Sequence, residues 1–351
     1  MSAAVRRWIV SGRHNGYIHP LCVMFLITIP ERTVLPMRVM ACLMLAAAAL
    51  SAGNLSGVVT IFHAGSLTVP LEIIEEQFEA MHPDVDVRRE SAGSVACARK
   101  ITELGREDCD IMASADYRVI DNMLIPDYAG WNAVFATNRM VLAYTPDSRR
   151  ADDISADNWY EILLDPEVEW GHSDPDADPC GYRTILVLQL AEDLYSSPGL
   201  ADDLIAGRDE RNIRPRSVEL ISLLESGHLD YAFEYLSVAV QHDLEYVDLP
   251  VEINLGDPDF AEGYATASTE IAGSSPGETR TMTGAPIAYG ITLLDDAPNP
   301  EAAMAFMEYM LSPEGGLAVL EDVGQPPFIP CRISAGTESG TVPDGLAGLV
   351  E

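Results

Sequence analysis

The chain has 351 residues, 48% of them hydrophobic, which is too apolar for a disordered polymer and long enough for two packed lobes behind a leader. Asp and Glu total 55 against 21 for Lys and Arg, a formal net charge of −34, and Lys100 is the only lysine. No basic patch survives that balance, so nucleic acid and anionic membrane surfaces are excluded as partners; acidity spread along the whole chain fits instead a solvated coat suited to strong salt, a halophilic habit.

Residues 37–52, MRVMACLMLAAAALSA, join one Arg to an apolar run and then small residues, the pattern of an export signal. The run of roughly 14 residues falls short of the ~20 that cross a bilayer, which favours a cleaved signal over the alternative, a retained anchor. Residues 1–36 carry scattered Arg, His and Pro without amphipathic period, and read as an extension upstream of a true start at Met37. The leader is assigned to 1–56. No Cys follows the apolar run, so nothing supports a lipid-modified N-terminus.

Beyond Gly57, short apolar runs alternate with helical periods, the mark of an α/β fold. VVTIFHAGS reads as a strand ending in a turn. LTVPLEIIEEQFEAMHP carries Leu71, Ile74, Phe78 and Met81 at helical spacing and is stopped by Pro83. VDVRRES is a second strand, SVACARKITELG a second helix ending near Gly105, and DCDIMASAD a third strand. VIDNMLIPDYAG gives a short helix and ATNRMVLAYTPDS a further strand. A helix is expected around Asn158–Leu164, then the loop HSDPDADPCG, then a long helix from Tyr182 to about Tyr195. SVELISLLESG is a helix stopped by Gly227. After a Gly/Ser/Thr-rich loop over 263–284, APIAYGITLL is a strand and residues 300–324 are helical.

The six cysteines are Cys22, Cys42, Cys97, Cys109, Cys180 and Cys331, without a CxxC pair or zinc spacing. Cys97 opens a helix of about 10 residues, roughly 15 Å long, and Cys109 opens the next strand, so the two are too far apart to bridge. Sequence leaves a Cys180–Cys331 bridge open.

Two turns share one design. Gly65 and Ser66 follow the first strand and open the first helix; Gly93 and Ser94 follow the second strand and open the second helix. Backbone amides at a helix N-terminus lack intrahelical partners and carry the positive dipole end, so such turns suit an oxyanion, with the serine hydroxyls as further donors. Helix capping alone would also explain both serines. Ser114, at the end of the third strand, falls at the same edge. Asp178 precedes Pro179 at the start of the long helix, a good N-cap arrangement. Glu234 sits in DYAFEY among aromatic and apolar neighbours, where an unpaired carboxylate is costly; Arg183 is the ordinary partner to expect.

Taken together, HAGSL, SAGSVACARKITE, DPCGYR and DYAFEY resemble the tungstate/molybdate-binding proteins typical of archaea, over about Val58 to Arg332. The resemblance implies a two-lobed, periplasmic-binding-protein-like clamp, each lobe a mixed sheet flanked by helices, with the ligand in the interlobe cleft. It implies no enzyme activity and no cofactor. The expected protein is a monomer outside the cytoplasm, associated with the cell surface, delivering molybdate or tungstate to the permease of an ABC transporter. Carried onto this sequence, Gly65, Ser66, Ser94 and Ser114 would hold the anion, and Asp178 and Glu234 would complete an expanded, six-coordinate metal centre. Asp176 is the register alternative to Asp178. The expected first lobe is 57–141 with 287–335, the second 142–286 and the C-terminal tail 336–351, with hinges near Ala143 and Pro286.

Three other readings stand beside it. Asp174, Asp176 and Asp178 alternate like the start of a calcium loop, although Pro179 replaces the glycine and Ile185 the final glutamate. His63, His172 or His242 with Asp178 and Glu234 could form a metal or acid–base centre, without any HExxH, GxSxG or P-loop pattern. Sulfate or phosphate could replace the ligand, though such sites rely on neutral donors rather than carboxylates.

Overall fold

The computed structural model describes residues 55–103, 108–273, 277–338 and 340–351. The export signal, Met37 and the first two cysteines lie outside these residues. Among the described residues no helix is long and apolar enough to cross a membrane.

Strands β1 (Gly57–Ala64), β2 (Val85–Ala92), β3 (Ile111–Ser114) and β4 (Ala133–Thr137) enter a first sheet. The chain crosses at Asn138 and Arg139 into a second sheet, as β5 (Met140–Tyr144), β6 (Trp170–Ser173), β7 (Ile213–Arg214), β8 (Tyr231–Tyr235) and β9 (Glu245–Asp248). A hairpin of β10 (Ser268–Ala272) and β11 (Thr279–Thr283) follows, and the chain returns to the first sheet as β12 (Ala288–Leu293) and β13 (Pro327–Ile333). The first sheet has the order β13-β4-β12-β3-β1-β2 and the second β7-β6-β8-β5-β9. Because β1 pairs in parallel with both β2 and β3, with Ala64 opposite Ala92 and His63 opposite Ala113, the carboxyl ends of three strands share one edge. Open α/β sheets bind ligands at that edge.

Helix Thr68–Met81 buries Pro70, Leu71, Ile74 and Phe78, a stripe at the 3.6-residue period, against the first sheet. Phe78 meets Phe306 of helix Pro300–Met310 edge to face, centroids 5.2 Å apart. In the second lobe Trp159 and Trp170 each stand edge-on to Phe233, at 5.7 Å. Burying each such ring stabilises the fold by about 1.5–3 kcal/mol.

Three features depart from the sequence expectation, and a fourth answers a point it left open. ATNRMVLAYTPDS contains the crossing: Met140 and Val141, expected in the first lobe, pair with Tyr235 and Glu234 of the second sheet. The break falls at Asn138, whose side-chain oxygen accepts the Arg139 amide and so replaces a ladder bond. The loop over 263–284 holds the β10–β11 hairpin, whose Thr-rich strands are mostly exposed and lack an apolar alternation to announce them. Residues 336–351 pack back on β13: Cys331 N donates to Leu349 O at 3.0 Å, Glu351 N donates to Cys331 O at 2.9 Å, and Leu346 is buried. Cys97, Cys109, Cys180 and Cys331 are free and buried, the Cys180 thiol donating to Phe233 O, so Cys180 and Cys331 are not bridged.

Candidate functional site

The two Gly–Ser turns sit side by side at the carboxyl ends of β1 and β2. Neither serine caps its own helix: no side-chain cap bond forms at the starts of Thr68–Met81 or Ser94–Thr102. Ser66 Oγ lies 3.0 Å from the Tyr289 hydroxyl, and Ser94 Oγ accepts the Ala115 amide at 3.0 Å. Both are buried, so a capping role does not explain them. Ser114 shares the edge, but its hydroxyl donates to Asp116 O at 2.6 Å and accepts Asp116 N at 3.1 Å. Its one proton is committed within its own turn.

From the second lobe, Asp178 and Glu234 approach the same place. Asp178 caps helix Pro179–Leu194, Oδ1 accepting Cys180 N at 3.1 Å, while Oδ2 accepts Ser217 N at 2.8 Å. It is therefore the cap its place before Pro179 suggests, and a buried one. Asp176, the register alternative, is exposed and accepts Ala272 N at 2.7 Å. Burial pushes Asp178 up to about 6, eased only partly by the amides of Ser217 and Cys180. Glu234 is 0% exposed. Its Oε2 has a long bond from Tyr235 N at 3.3 Å, and its Oε1 has no hydrogen-bond partner. The Ser217 hydroxyl is close enough to favour the ionised form without meeting the geometry of a bond to Oε1. Burial, then the charge of Asp178, pushes Glu234 up to about 8.

Arg183 does not pair with Glu234. It donates to Ala115 O and to the Tyr235 hydroxyl, each at 2.7 Å, and lies 3.3 Å from Asp116. Asp116 also takes Arg118 and, at 2.7 Å, the Tyr182 hydroxyl. Burial alone would raise Asp116, but Arg118 and Arg183 hold it well below the usual carboxylate range. Asp116 and Arg118 come from the first lobe, Tyr182 and Arg183 from the second, so this buried cluster ties the lobes together.

Other contacts close the cleft around the two carboxylates. Ala96 N donates to Ala177 O at 3.3 Å, and Arg216 donates to Ser91 O at 3.1 Å. A Cβ on Gly93 would lie 2.1 Å from Ala177 O and 3.0 Å from Asp178 Cβ. A Cβ on Gly65 would meet Val218 at 3.0 Å. Ser217 thus belongs to a loop that touches the first turn, Asp178 and Glu234 at once.

The calcium and acid–base constellations do not assemble. Asp174 accepts Asp176 N, while Asp176 and Asp178 turn to Ala272 and Ser217, so the three carboxylates diverge. His63 and His172 bond the backbone oxygens of Ala64 and Ser173, and burial brings both down to about 4. His242 is exposed.

The profile of the bacterial extracellular solute-binding proteins matches residues 59–324. A solute-binding protein of Petrotoga mobilis is 50% identical over 279 residues, covering 80% of this chain and 86% of the relative. The chain belongs to that family. The molybdate/tungstate-binding protein WtpA of Thermococcus kodakarensis is 39% identical to this solute-binding protein over 325 residues, 83% of this chain and 86% of the relative. Among solved structures, the periplasmic molybdate-binding protein of Azotobacter vinelandii superposes with a TM-score of 0.55 at 18% identity, covering 76% of this chain and 98% of that one. The sulfate-binding protein SubI of Mycobacterium tuberculosis gives 0.55 at 12% identity, covering 78% and 88%. These two likenesses establish the two-lobed fold; shared by a molybdate and a sulfate binder, it does not choose the ligand.

The sequence reading of this solute-binding protein missed Ser217, Tyr289, Asn138 and Asp116. Ser217 had a weak signal, a serine just ahead of an apolar helical period. Tyr289 and Asn138 lie 151 residues apart in sequence and 3.3 Å apart in space, so only folding joins them.

Proposed function

We propose that this solute-binding protein captures molybdate or tungstate between its lobes and hands it to the permease of an ABC importer. One observation carries the reading: Glu234 is a fully buried carboxylate with an oxygen that nothing in the described protein satisfies, beside a second buried carboxylate. Leaving such a group unpaired costs several kcal/mol, so its retention asks for a ligand.

Two carboxylates repel a tetrahedral oxyanion unless their oxygens bond to its central atom. Mo(VI) and W(VI) are large, hard centres that accept six oxygens, and sulfur and phosphorus in their oxyanions are not. One oxygen each from Asp178 and Glu234 would complete that coordination, while the hydroxyls of Ser66 and Ser94 and the backbone at Gly65 donate to the oxo oxygens. The same pair repels sulfate and phosphate, so it attracts one ligand class and rejects its abundant competitors. The molybdate/tungstate-binding relatives at 38–39% identity support the choice of ligand.

Calorimetric titration with tungstate, molybdate, sulfate and phosphate in high salt tests the reading. Tight binding of the first two is expected. Asp178→Ala should weaken them at least about tenfold without weakening sulfate, the loss of a charged contact being worth about 1.5–3 kcal/mol. Molybdate binding as tight as wild type in that variant sinks the metal-coordination mechanism. The reading also includes export as a monomer: the mature protein should begin close to residue 57 by mass and elute with a single chain's mass.

A further inference from the structure

We infer that Tyr289 and Asn138 are positioning residues that make Ser66 an obligate hydrogen-bond donor to the bound oxyanion, an inference that rests on the ligand reading above. A serine hydroxyl can donate or accept, and at 3.0 Å from another hydroxyl its direction is undecided by distance alone. Asn138 decides it. Its side-chain oxygen accepts two backbone amides, Arg139 N at 3.0 Å and Ser237 N at 3.3 Å. Main-chain N–H groups only donate, so the orientation of the Asn138 amide is fixed. Nδ2 must then be the group that faces Ser237 Oγ at 2.7 Å and the Tyr289 hydroxyl at 3.3 Å.

An amide nitrogen has no acceptor capacity, so the Tyr289 oxygen receives that bond and its own proton goes elsewhere. Among the described residues, the acceptor within hydrogen-bonding distance is Ser66 Oγ, at 3.0 Å. Ser66 in turn is left with its proton pointing away from Tyr289, free for the cleft. Ser94 reaches the same state by a shorter route, since the Ala115 amide occupies its oxygen and leaves its proton free. Ser114, with its proton on Asp116 O, does not. The relay runs Asn138 to Tyr289 to Ser66 to ligand, and each step has one permitted direction. Tyr289 lies on β12 and Asn138 at the chain crossing, so the two strands that join the lobes assemble it. Burial of all three residues keeps water from supplying a substitute donor.

A hydroxyl that can only donate suits an oxyanion oxygen that carries no proton. It opposes a protonated oxygen, such as that of hydrogen phosphate, donor against donor.

The test is calorimetric titration with tungstate of wild type, Ser66→Ala, Tyr289→Phe and the double variant. Tyr289→Phe should weaken binding about 10- to 150-fold, the scale of one charge-assisted hydrogen bond. If Tyr289 acts through Ser66, the double variant should bind within about twofold of Ser66→Ala alone, whereas a merely structural role would multiply the two losses. Asn138→Asp should weaken binding more than Tyr289→Phe, because the new carboxylate accepts the Tyr289 proton and reverses the relay; that added loss should vanish in a Ser66→Ala background. Wild-type affinity in Tyr289→Phe, or multiplied losses in the double variant, overturns the relay while leaving the ligand reading intact. Failure of the wild type to bind either tungstate or molybdate overturns both.

Discussion

Replacing Glu234 by glutamine should stabilise the ligand-free protein and weaken the ligand-bound one, and the first effect should grow with pH. An unfolded Glu234 ionises near 4.5, and in the fold its pKa is raised to about 8. Below 4.5 both states hold the proton and nothing is lost. Between the two values the folded state keeps a proton that the unfolded state gives up, so stability falls as pH rises, and the loss is complete above about 8. The separation corresponds to a cost on the order of 5 kcal/mol in the closed, ligand-free protein. Opening of the lobes hydrates the carboxylate and lowers the sum, so Glu234→Gln should raise the melting temperature by at least about 3 °C at pH 9 and by under about 1 °C at pH 4.5. With ligand the sign reverses, because the amide is a poor ligand for a hard metal centre. If affinity falls about 100-fold, saturating tungstate stabilises the variant by about 2.7 kcal/mol less than wild type. Differential scanning calorimetry in high salt at the two pH values, with and without tungstate, reads both effects. A variant that melts lower than wild type at pH 9 would mean that ionised Glu234 has a partner the structure does not contain. Undiminished stabilisation by tungstate would mean that Glu234 does not touch the ligand.

Gly93→Ala should lower tungstate affinity by more than about tenfold while leaving the first lobe folded, because its Cβ would meet Ala177 O at 2.1 Å across the cleft; small-angle scattering should show that tungstate no longer compacts the variant as it does the wild type. Arg183→Met should destabilise the ligand-free protein by about 1–3 kcal/mol in urea titrations, since it leaves Ala115 O and the Tyr235 hydroxyl without their donor while Asp116 keeps Arg118 and Tyr182. Ser114→Ala should leave tungstate affinity within about twofold of wild type and cost about 1 kcal/mol of stability, because its hydroxyl serves Asp116.

Much of this protein is written locally. The stripe of Leu71, Ile74 and Phe78 announces its helix, and the strand–turn–helix repeats ending in Gly65-Ser66 and Gly93-Ser94 announce a parallel sheet with its ligand edge. Asp178 before Pro179 and Glu234 within an aromatic run stand out because their chemistry conflicts with their neighbours, a conflict visible without coordinates. What remained hidden depends on pairs far apart in the chain. The crossing at Asn138 falls inside what reads as one strand, since only Asn138 and Arg139 separate the apolar run of β4 from that of β5. The β10–β11 hairpin buries only Ile271 and Met282 from its strands, too few to leave a pattern. Arg183 looked like the natural partner of Glu234, but the fold gives it Asp116 instead, a residue 67 positions away in the other lobe. The direction of the Ser66 hydroxyl follows from Asn138 through Tyr289, and no local rule can anticipate it. Side-chain type and spacing determined which groups could bind an anion. Only the tertiary structure decided which of them lack a partner, because that depends on every other group brought within hydrogen-bonding distance.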